Sequence, residues 1–170
     1  MPQFKPHALQ PLWTLNAWLA RCAKALVVTL ASAMVAAITW QVVTRVFANR
    51  SPPWTEEIAL LMFSWIILLM IAIGVREQLH VRMDALIAIL PSALANIAER
   101  VIALLVTCIG CYLIWSGIGY LVAMRGSTSQ AIRYPSELLY VALPIAGLLV
   151  FLFALENLMR GGVPSSDADT

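Results

Sequence analysis

Residues 58–75 read IALLMFSWIILLMIAIGV, 18 consecutive positions without an ionisable side chain. An apolar run of about 18 or more residues is what a helix needs to cross roughly 30 Å of hydrocarbon. Three further stretches repeat the pattern on either side: residues 25–44, 101–124 and 138–155, with 20, 24 and 18 residues. In lipid the backbone must satisfy its own hydrogen bonds, so each stretch predicts a transmembrane helix. The expected fold is an all-α membrane protein with four transmembrane helices. Of the 170 residues 61% are hydrophobic and only 12% charged, too apolar for an ordinary soluble domain.

This arrangement predicts one membrane domain over residues 25–155. A cytoplasmic segment, 1–24, precedes it, and a polar cytoplasmic tail, 156–170, follows. The net charge of +2 is small and scattered, which excludes a nucleic-acid-binding role. Ionisable residues inside a membrane usually mark ion pathways and proton relays. Their absence from the middle of all four spans argues against a transport catalyst working alone.

Lys and Arg near the span ends set orientation. An inside N-terminus places Lys5, Arg21, Lys24, Arg76, Arg82, Arg100 and Arg160 in the cytoplasm, against Arg45, Arg50, Arg125 and Arg133 outside. Seven against four predicts both termini inside. Residues 11–24 have helical periodicity, with Leu12, Leu15, Trp18, Leu19 and Cys22 on one face. That pattern suits an amphipathic helix on the membrane surface or an extension of the first span. Between spans two and three, residues 84–90 read as a second interfacial amphipathic piece. It is too short to cross, and Pro91 breaks it before Ser92 opens the next helix.

Several residues invite a chemical reading. Glu56 and Glu57 resemble a cation site, yet adjacent helical positions diverge by about 100° and cannot easily share one ion. Complementing the helix dipole, or a subunit contact, is the plainer role, with Ser51 or Thr55 as the cap and Trp54 as an interfacial anchor. His80, with Arg76 and Asp84 four residues to either side, forms a polar docking cluster or a solvated rim. Cys108 and Cys111 share a helix face, but mid-span hydrocarbon offers no cation to activate a thiolate, so small apolar packing is expected. No metal or cofactor site and no catalytic set is expected. Ser136 is a candidate cap for the fourth span, and Pro144 should kink it.

Taken in order, certain motifs resemble a known family. Trp54-Thr55-Glu56-Glu57 opens span two and His80-Val81-Arg82-Met83-Asp84 follows it. Leu90-Pro91 stands ahead of span three. Thr128-Ser129-Gln130-Ala131-Ile132-Arg133-Tyr134-Pro135 then precedes Tyr140, Ala142, Pro144 and Gly147 in span four. The chain resembles the small, Q-type permease subunit of the tripartite ATP-independent periplasmic (TRAP) transporters, over about residues 26–155. The resemblance implies a bacterial inner-membrane subunit beside a large TRAP permease subunit that holds the substrate and sodium sites. It also implies a periplasmic solute-binding protein that delivers an organic acid. The small subunit would brace the scaffold, with Trp54, Glu56, Glu57, His80, Arg82, Asp84, Pro135 and Pro144 as contact or structural residues. Alternatives from the residues alone are a stand-alone oligomeric transporter or channel using Thr29, Thr39, Gln41 and Thr107, and a membrane thiol oxidoreductase using Cys108 and Cys111.

Overall fold

The computed structural model describes residues 10–50, 52–77 and 92–160. Among these the chain is helical apart from its connectors. Helix α1 spans Gln10–Ala48, α2 Pro53–Arg76 and α3 Ser92–Ala123. The fourth crossing is a single turn, α4 (Glu137–Tyr140), followed by α5 (Ala142–Arg160). All four crossings are long and apolar enough to span a bilayer.

Helices α1 and α3 outrun the apolar runs that define them. The 39 residues of α1 measure about 58 Å at about 1.5 Å each, almost twice the hydrocarbon thickness. Residues 12–48 contain neither Gly nor Pro, so nothing local stops the helix before Asn49, which adopts a left-handed φ of 50°. The segment before span one is thus continuous with it, the geometry of an extension. The face turned inward is not the apolar one. Asn16, Ala20 and Ala23 are buried, while Leu15, Trp18 and Cys22 are exposed. The physical reason is that lipid accepts apolar surface, so close helix contact selects small residues instead. The interfacial piece expected at 84–90 lies outside the described residues.

The crossings form an open row. Helix α2 lies between α1 and α5, and α5 between α2 and α3. The edge helices α1 and α3 share no extended contact. Helix α1 meets α5 through Asn16 and Ala20. Ala20 packs with Ala72, Val150 and Phe153, while Ala23 packs with Leu69 and Ile73. Glycines seat α3 on α5: a Cβ on Gly110 would fall 2.8 Å from the Phe151 backbone nitrogen, and one on Gly117 2.7 Å from the Pro144 ring. Ala103 and Thr107, seven and three residues before Gly110, are half-buried on the same side of α3, whereas Cys111 is exposed.

Pro144 breaks the fourth crossing, as its missing N–H requires. Val141 separates α4 from α5, and no Ala142 N–H reaches the Leu138 carbonyl among the described residues. The Trp65 indole on α2 donates to that carbonyl instead, at 3.1 Å. Ser136 stands at the N-cap of α4 without a side-chain cap bond, because its backbone is already helical (φ −59°, ψ −20°).

Candidate functional site: polar clasps at the two ends of the row

Each end of the row carries a compact polar cluster. At the loop end, α1 finishes, α2 begins and residues 124–136 connect α3 to α4. Pro52 is the N-cap of α2 and has no side chain to cap with. Thr55, proposed as a cap, is inside the first turn, and its buried hydroxyl donates back to the Pro52 carbonyl at 2.7 Å. Glu57 reaches across to the 124–136 connector. Its carboxylate accepts the Ser129 hydroxyl at 2.5 Å, the Ala131 N–H at 2.7 Å and the Ile132 N–H at 3.0 Å. Glu56, one residue earlier, is exposed, as the divergence of adjacent helical positions requires.

The connector is itself a narrow hairpin. Thr128 and Pro135 form an isolated antiparallel bridge. Ser129 N–H donates to Tyr134 and Ser136 N–H to Ser127, both at 3.0 Å. Gly126 and Arg133 take left-handed φ values of 79° and 60°, which turn the chain at either side. The Tyr134 phenol is held above its ordinary range by burial first and by the Glu57 carboxylate second.

The tail end is where α1 begins and α2 and α5 finish. Asn16 donates from its side-chain nitrogen to Glu156 Oε2 at 2.8 Å and to the Leu152 carbonyl at 3.4 Å. Asn157 donates to the Val75 carbonyl, in the last turn of α2, at 2.9 Å. Lys24 pairs with Glu77. The Arg76 guanidinium lies 5.7 Å from the centre of the Phe153 ring.

Of the residues singled out from sequence, Glu57 enters a cluster, and Pro144 meets Gly117 at the α3–α5 seam. Trp54 (43% exposed), Glu56 and Pro135 are exposed around the loop end. His80, Arg82 and Asp84 lie outside the described residues. Cys108 and Cys111 are free and exposed. Sequence reasoning missed Asn16, Trp65, Glu156 and Asn157. Asn16 had a signal, since it begins a polar-and-small stripe with Ala20 and Ala23 opposite Leu15 and Trp18. Trp65 had none, because its partner is a backbone carbonyl 73 residues away.

Between the two clasps the hydroxyls are occupied locally. Thr29, Ser32, Thr39, Ser64 and Thr107 each donate to the carbonyl four residues earlier in their own helix. Such bonds hide a hydroxyl from lipid and form no transverse polar row.

Comparison with known proteins agrees with this frame. Residues 34–161 match the family model of the tripartite ATP-independent periplasmic transporters, DctQ component. The sialic acid TRAP transporter small permease protein SiaQ of Vibrio cholerae is 31% identical over 140 residues, 78% of this chain and 79% of that protein. The isethionate TRAP transporter permease protein DctMQ of Oleidesulfovibrio alaskensis is 26% identical over 108 residues. That match covers 62% of this chain but 17% of the larger protein. A four-span membrane frame and a family match across most of it lead to one conclusion: this chain belongs to the DctQ family and is a TRAP-transporter small permease subunit.

Proposed function

We propose that the chain braces the static scaffold of a large TRAP permease subunit during sodium-coupled uptake of an organic acid supplied by a periplasmic solute-binding protein. The carrying observation is the open helix row, whose charged side chains among the described residues gather at its ends, where clasps tie neighbouring elements together. A brace needs a fixed shape and a broad apolar face for its partner, and the two edge helices supply such faces. The match to a small part of the much larger DctMQ permease supports a large permease as that partner. In this reading the chain sits in the bacterial inner membrane with both termini in the cytoplasm, and the Glu57 clasp faces the periplasm. Trp54 and Glu56 flank the outer edge of the subunit contact.

Affinity purification of the tagged chain from its native membrane in mild detergent tests the proposal. Recovery with a large multi-span permease is the expected result. Recovery alone or as a homo-oligomer would overturn it in favour of a stand-alone transporter or channel.

A further inference from the structure

We propose that Trp18 and Arg21 form a binding site for the phosphate of an anionic phospholipid at the tail end of the row. The inference is independent of the transport reading, since it rests on the exposed face of α1 and its depth against the end of α2.

The charges at this end are unevenly matched. Glu77 is taken by Lys24, and the buried Glu156 by Asn16. Arg76 faces the Phe153 ring. Arg21 is exposed, and among the described residues its partner is the Ala17 carbonyl of its own helix, 3.3 Å from Nε. Its guanidinium therefore has no described acidic partner. Three residues earlier and on the same outward face, Trp18 is 58% exposed. Leu15, 48% exposed, extends that face by another turn.

Depth decides what can meet these side chains. Ala20 packs on Ala72 and Ala23 on Ile73, within about one turn of Arg76, the last residue of α2. Trp18 and Arg21 thus sit where α2 leaves the hydrocarbon, the level of lipid phosphates. A guanidinium presents paired N–H donors that match two phosphate oxygens. An indole at this depth places its apolar ring against the acyl–glycerol boundary and its N–H toward the headgroup. Trp18 and Leu15 give a lipid apolar surface that a soluble phosphate could not use.

The test is native mass spectrometry of the protein with its co-purifying subunits, titrated with phosphatidylglycerol or phosphatidylcholine. Preferential phosphatidylglycerol binding is expected, and R21Q should weaken it about fivefold while leaving phosphatidylcholine unchanged. W18A should weaken both lipids. R100Q, an exposed arginine on the opposite edge helix, should match the wild type. Arg21 and Trp18 are exposed, and an unchanged unfolding midpoint would show that both variants remain folded. Undiminished phosphatidylglycerol binding by R21Q or W18A would overturn the site. Displacement of the lipid by millimolar inorganic phosphate would also overturn it, assigning Arg21 to soluble anions.

Discussion

Glu57 gathers three donors from one short segment, and its removal leaves the Ser129 hydroxyl and two backbone N–H groups to water. In E57A, the Ala131 and Ile132 amides should exchange faster by hydrogen–deuterium mass spectrometry, with α5 unaffected. E56A should leave the connector unchanged, since Glu56 is exposed; equal protection in E57A would show that the hairpin stands without the clasp. At the opposite end, N16L would strip the buried Glu156 of its amide donor. A cost of about 1 kcal/mol is expected for the lost hydrogen bond, seen as a lowered unfolding midpoint. The double variant N16L/E156L should recover much of that loss because both polar groups leave together. The Glu56-Glu57 pair was legible in the sequence as a divergent pair at a helix start. Which member turned inward was not, because the donors come from residues more than 70 positions away.

Among the elements, the α3–α5 seam is decided by close approach. A methyl on Gly117 would meet Pro144 at 2.7 Å, and Pro144 cannot move without disturbing the break it creates. G117A should therefore cost about 1–3 kcal/mol in detergent unfolding, the usual scale of overpacking. G119A is the matched control: a methyl there meets nothing within 4 Å, and Ala is the better helix former by up to about 1 kcal/mol. Equal behaviour of the two variants would show that the seam has slack. The kink at Pro144 and the helix start at Ser92 were readable from proline chemistry alone. The seam was not, because Gly110 and Gly117 look the same as Gly119 until their neighbours are known.

For the whole molecule, four crossings place Asn49, Arg50 and residues 126–134 on one side of the membrane and Glu77 on the other. In a cysteine-free background, R50C and Q130C should react with an impermeant thiol reagent from the same side, and E77C from the opposite side. Labelling of all three from one side would overturn the four-span arrangement. The sequence by itself determined the number of candidate spans and the membrane environment. Hydrocarbon thickness and the need for internal backbone hydrogen bonds make an uncharged run of sufficient length decisive on local information alone. Only the tertiary structure decided that the helices stand in an open row, that Asn16, Ala20 and Ala23 rather than Leu15 and Trp18 turn inward, and that Glu57 clasps the 124–136 connector. In lipid both faces of a helix are apolar, so periodicity no longer separates inside from outside. Steric fit between distant small residues, and a few long-range polar bonds, make that choice instead.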